Sequence, residues 1–167
     1  MRPLIFIYSH DAIFLAVNQE SSYLAERRFD DTGEGLFEQL VFDEEYLVKF
    51  RELFLDAQSE VTPALSAYLK EVPVEPEYFE MQDFSPDLDY TFTLLMPDDW
   101  NFHLFKPVDI KIKQYLVAYI MYRWLETKLP EEAVVYLERA TRLLEEIRSL
   151  LEKRTRVRRR WHGLWEG

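Results

Sequence analysis

Residues 107–129 read Pro-Val-Asp-Ile-Lys-Ile-Lys-Gln-Tyr-Leu-Val-Ala-Tyr-Ile-Met-Tyr-Arg-Trp-Leu-Glu-Thr-Lys-Leu, the longest run in the chain with helical spacing and near-continuous apolar content. The run is therefore the central helix of a mainly α domain. Between residues 115 and 125 it is apolar almost all the way round, so more than one face needs covering. Either neighbouring helices of the same chain supply those covers, or a second subunit does.

C-terminal to it, Pro130 opens a stretch to about residue 156 in which Ala133, Leu137, Ala140, Leu144, Ile147 and Leu151 recur at alternating four and three residues. That spacing makes a seam for a partner helix. With only a few connecting residues, the two helices are expected to form a long antiparallel hairpin. Glu138 with Arg142 and Glu152 with Arg156 stand four apart in the favourable order on the outer face.

N-terminal to it, Pro73, Pro76, Pro86, Pro97 and Pro107 exclude long helices from residues 72–108. Tyr-Thr-Phe-Thr-Leu at 90–94 alternates like a half-buried strand, so a small two-stranded β excursion of residues 77–82 and 90–96 is expected. Trp100, Phe102, Leu104 and Phe105 then fold back over the helices. Before the excursion, Asp43 caps a helix whose apolar stripe is Tyr46, Phe50, Leu53, Ala57, Val61, Ala64 and Tyr68. Pro63 is expected near the first turn of a kinked or freshly capped second segment of it. Residues 4–8 suit a short strand, residues 11–17 a short helix, and residues 21–29 its second half or a separate turn.

A chain of 167 residues fits one domain with a sizeable core, and 48% apolar with 16% aromatic residues is a folding composition. Residues 1–156 are read as that domain and 157–167 as a basic, aromatic tail. Without cysteine there is no disulfide, thiolate metal site or cysteine nucleophile, which suits a reducing compartment. No signal-peptide core and no apolar run of membrane-spanning length appears, so a cytoplasmic location is the default expectation. The net charge of -11 is unevenly placed. Residues 1–152 hold 14 basic and 30 acidic residues, a balance of -16, whereas residues 153–167 hold six basic against one acidic, +5.

That tail carries the strongest signal outside the core. Arg154, Arg156, Arg158, Arg159, Arg160, Trp161 and Trp165 combine charge and flat aromatic surface, a partner-binding set. Positive charge after a helix also complements its dipole, but two tryptophans exceed that requirement. An acidic body favours a protein partner or self-association over nucleic acid. The alternative is a nucleic-acid-binding accessory protein that uses the same arginines.

Other chemistry is sparse. His10-Asp11 is the one adjacent acid-base pair, and capping explains Asp11 without a nucleophile or a glycine-lined oxyanion site beside it. Asp83, Asp87, Asp89, Asp98 and Asp99 offer hard oxygen ligands but lack the spacing and glycine of a calcium loop, and read as a solvated acidic face. No phosphate loop, HExxH pair or GxSxG elbow is present. The residues imply no cofactor, no metal site and no catalytic set.

The order of elements carries a resemblance. A helix opening at Asp43 and containing Leu-Asp-Ala-Gln-Ser-Glu-Val at 55–61, a β-rich excursion, Leu-Met-Pro at 95–97 and the Asp109-initiated helix together resemble the small helical head-to-tail connector (neck) proteins of tailed phages and prophages. The likeness spans residues 43–129 and lies in layout. It implies a non-enzymatic, homo-oligomeric component joining a capsid portal to a tail, associated with the virion. The long last helix and basic tail depart from that family and would be additions that contact a neighbour. No functional residue is carried over.

Overall fold

The computed structural model describes residues 1–32, 38–70 and 89–155, with the side chains of 29–32 excepted. Among these residues the chain forms strand β1 (Arg2–Tyr8), helix α1 (His10–Thr32), a 3₁₀ turn (Glu44–Tyr46) running into α2 (Leu47–Leu65), strand β2 (Tyr90–Met96), a second 3₁₀ turn (Phe102–Leu104) leading into α3 (Phe105–Leu125), and α4 (Pro130–Glu152). The expected class, mainly α with a small two-stranded β element and a C-terminal helical hairpin, is what forms. No helix among the described residues is long and apolar enough to cross a membrane.

Local chemistry sets most boundaries. Ser9 starts α1: its hydroxyl accepts from the Ala12 N–H (3.4 Å) and its carbonyl from the Ile13 N–H (3.1 Å). The helix then runs unbroken to Thr32, so residues 21–29 are its second half and not a separate turn. Asp43 caps the Glu44–Tyr46 turn by accepting from the Glu45 N–H at 3.1 Å. Pro63 lies in the last turn of α2, two residues before its end, and does not open a new segment. At that position the missing N–H removes only one terminal hydrogen bond, and the chain turns away after Leu65.

The sheet pairs distant parts of the chain. β1 runs antiparallel to β2 with Leu4 opposite Leu94, Phe6 opposite Phe92 and Tyr8 opposite Tyr90. The strand at 90–96 is where the alternation put it; its partner is β1, while residues 77–82, the expected partner, lie outside the described residues. The far edge of β2 meets residues 68–70: the Lys70 N–H donates to the Thr93 carbonyl (2.9 Å) and the Leu95 N–H to that of Tyr68 (2.6 Å). Phe6 and Phe92 stack at 5.2 Å on the inner face, which packs on the start of α3 through Phe105.

Among the described residues, the interface between α3 and α4 is the most extensive. α3 buries Val108, Ile112, Tyr115, Leu116, Ala118, Ile120, Met121, Trp124 and Leu125, residues that point all round its axis. Helices α1, α2 and α4 supply the covers, so the apolar girth of α3 is satisfied within one chain. On α4 the buried stripe is Ala133, Tyr136, Ala140, Leu143, Ile147 and Leu151. This corrects the expected seam at two places: Leu137 is 40% exposed and Leu144 only partly buried, while Tyr136 and Leu143 point inward. Rotating the stripe by one residue lets the large Tyr136 ring fill the core while its hydroxyl donates to Glu20 Oε1 at 2.9 Å. On the outer face Arg142 reaches Glu146 (4.0 Å).

The molecule thus has two ends. At the sheet end lie β1, β2, the start of α3 and the end of α4, where Trp100 Nε1 donates to the Leu150 carbonyl at 3.1 Å. At the turn end lie residues 38–46, the start of α2, the end of α3 and the start of α4. There Trp124 Nε1 donates to the Leu40 carbonyl at 2.9 Å.

Candidate functional site

The tail begins from a built anchor at the sheet end. Helix α4 was expected to reach about residue 156, but it stops at Glu152 because Lys153 is extended (ψ 125°). Residues 153–155 then lie antiparallel to residues 99–101. The Asn101 N–H donates to the Lys153 carbonyl (3.3 Å), the Thr155 N–H to the Asp99 carbonyl (2.6 Å), and Trp100 bridges Arg154. Arg154 is committed to the body: its Nε sits 3.5 Å from Asp99 Oδ1 and an Nη donates to the Leu151 carbonyl at 2.9 Å. Of the tail residues singled out by sequence, Arg154 is therefore an anchor. Arg156, Arg158, Arg159, Arg160, Trp161 and Trp165 lie outside the described residues.

The other polar candidates do structural work. His10 is buried, with its ring edge-on to Phe50 (5.0 Å) and near Phe54 (6.1 Å); Nδ1 meets Asp11 Oδ1 at 3.1 Å, and the backbone N–H donates to Asp89 Oδ1 at 3.0 Å. Of the aspartates, Asp89 fastens the start of α1, Asp98 faces the Met1 ammonium (3.1 Å) and Arg2, and Asp99 holds Arg154. Asp83 and Asp87 lie outside the described residues. The three described aspartates do not converge on one point, and no group of three candidate ligands gathers among the described residues. Tyr8 donates to Asp109 Oδ1 (3.0 Å), and its phenol is pushed up by burial and by that carboxylate.

Sequence reasoning missed the turn end. Residues 41–43 belong to no helix or strand; instead side chains of α1 hold Phe42. Ser21 Oγ accepts from the Phe42 N–H (2.9 Å) and donates to the Asn18 carbonyl (2.9 Å), while Asn18 Nδ2 donates to the Phe42 carbonyl (2.8 Å). Phe42, Tyr46 and Trp124 then meet as an aromatic corner, with Trp124 4.3 Å from Phe42 and 4.7 Å from Tyr46. Lys128, from the turn between α3 and α4, places Nζ over the Trp124 face, 2.6 Å from its centroid, and 5.2 Å from that of Tyr46. Burial lowers that amine to about 8.

Beside this corner opens a groove of about 530 Å³ lined by Glu38, Gln39, Val41, Asp43, Glu45 and Tyr46. None of its three carboxylates has a basic partner among the described residues. The local acidity of residues 43–45 was visible in sequence as helix-start chemistry. That it makes one wall of a groove depends on the Ser21 and Asn18 contacts, 21 to 24 positions away. No family model, characterised protein or solved structure matches this chain.

Proposed function

We propose that this chain is a non-enzymatic structural or assembly protein, working by self-association and by docking through its basic C-terminal tail. The observation that carries this reading is the anchored tail root. Residues 153–155 are hydrogen-bonded across residues 99–101, so the charges that follow leave an acidic body from a fixed place. A segment serving only the helix dipole needs no such fastening. Of the polar residues that first suggest chemistry, His10, Asp89 and Asp99 tie elements together while Asp11 is exposed and meets only His10 beside it, and this fits a protein that acts through its surface.

The layout that resembles phage head-to-tail connectors agrees with an assembly role in a prophage or mobile element, in the cytoplasm or on a virion. Self-association does not draw on residues 115–125 of α3, whose apolar side chains pack within the chain. It draws on charge instead.

The test is truncation after Thr155, compared with the full chain by light scattering at increasing concentration. Association of the full chain and its loss on truncation, with the fold intact, is the expected result. A full chain that stays monomeric and binds duplex DNA with a steep salt dependence would replace this reading with the nucleic-acid one.

A further inference from the structure

We infer that the arginines of residues 156–160 dock in the acidic groove at residues 38–46 of a second copy, so that molecules associate head to tail. This rests on the assembly reading above and names the surface that receives the tail.

Three observations converge on it. The first is charge. Glu38, Asp43 and Glu45 line one groove without a basic partner among the described residues, and residues 156–160 carry four arginines. The second is the wall. Tyr46 closes the groove and belongs to an aromatic corner on which a cation, the Lys128 ammonium, already rests. A guanidinium stacks on such faces and pairs with carboxylates in its plane, so groove and arginine match in both respects.

The third is reach. The tail starts beside Asp99 at the sheet end, and the groove lies at the turn end, next to the start of α4. Helix α4 separates them with 23 residues, about 34 Å at its usual rise. From Thr155 a fully extended chain brings Arg160 at most about 18 Å away, and an arginine side chain does not close the difference. The groove is thus beyond the arginines of its own chain. Donor and acceptor surfaces sit at opposite ends of each molecule, so the contact is heterologous and growth does not stop at a two-fold dimer.

A charge swap on the full-length protein tests this. The acceptor variant carries Glu38→Lys and Glu45→Lys, sparing the capping Asp43; the donor variant carries Arg158→Glu, Arg159→Glu and Arg160→Glu. Circular dichroism and thermal melting establish that each folds. In sedimentation velocity, the wild type is expected to form species beyond dimer, with association weakened at least tenfold by raising salt from about 0.05 to 0.5 M. Each variant alone is monomeric, and an equimolar mixture regains association beyond a 1:1 complex, because the Arg tail of the acceptor variant matches the acidic groove of the donor variant and the Glu tail of the donor variant matches the Lys groove of the acceptor variant. The chain carrying both sets of changes regains association.

Wild-type association that survives the acceptor variant but not the donor variant overturns the groove assignment and leaves the assembly reading standing. A wild type that is monomeric at all concentrations overturns both. Association that neither variant weakens overturns this inference and removes the tail from the assembly reading.

Discussion

Ser21 shows how much a single hydroxyl does in this molecule. It is fully buried in α1, and it satisfies the Phe42 N–H of a segment that has no ladder of its own. Ser21→Ala strands that N–H away from water, and a buried unpaired donor costs about 1–3 kcal/mol. Urea unfolding is expected to show a loss of that size, whereas Ser22→Ala, whose hydroxyl only back-bonds within α1 to the Asn18 carbonyl, changes little. The buried phenols set an alkaline limit. Burial, with Glu60 and Tyr119 adding to it, pushes Tyr115 up to about 12, and burial likewise raises Tyr8, Tyr90 and Tyr136. Folded-state values above the unfolded value of about 10 mean that the unfolded chain releases these protons first. Stability is therefore complete below pH 10 and falls between about 10 and 12, and phenolate absorbance is expected to rise together with loss of helical circular dichroism.

At the level of elements, the hairpin of α3 and α4 is the part to perturb. Two readings of the α4 seam differ by one residue, and substitution separates them. Ile147 is fully buried, and Ile147→Ala is expected to cost about 2–5 kcal/mol by leaving a cavity against α3. Leu137, in the expected seam but 40% exposed, is expected to change stability by no more than about 0.5 kcal/mol as Leu137→Ala. A cost for Leu137→Ala as large as that for Ile147→Ala in guanidinium unfolding would return the helix to the rotation its heptad spacing suggested, because Ile147 lies in both seams and Leu137 in only one. A seam written from spacing alone tolerates this error because neighbouring residues on a helix lie 100° apart, and both Tyr136 and Leu137 are apolar enough to face inward. The choice came from α1, whose Glu20 offers the Tyr136 hydroxyl a partner.

At the scale of the whole molecule, the buried cluster among the described residues is assembled from residues between Phe6 and Leu151. Removing residues 156–167 is therefore expected to leave the near-ultraviolet circular dichroism and the unfolding midpoint unchanged while association is lost. A large drop in midpoint would show that the tail is a structural part of the body. The sheet, the tail root and the acidic groove all join parts of the chain that are far apart in sequence, and all three lie at the ends of the helical bundle.

The sequence by itself determined the helical class, the hairpin after Pro107, the strand at 90–96, the cap at Asp43 and the split between an acidic body and a basic tail. These are local matters of periodicity, capping chemistry and charge count, each decided within a few turns of chain. Only the tertiary structure decided that β1 pairs with β2, that α4 faces its partner through Tyr136, that α4 ends at Glu152 and that residues 38–46 form a groove. Each of these depends on which of several acceptable local arrangements finds a distant partner: Phe6 for Phe92, Glu20 for Tyr136, Asp99 for Thr155, Ser21 for Phe42. Such pairings are selected by burial and hydrogen-bond satisfaction across the folded chain, and no short stretch of sequence encodes them.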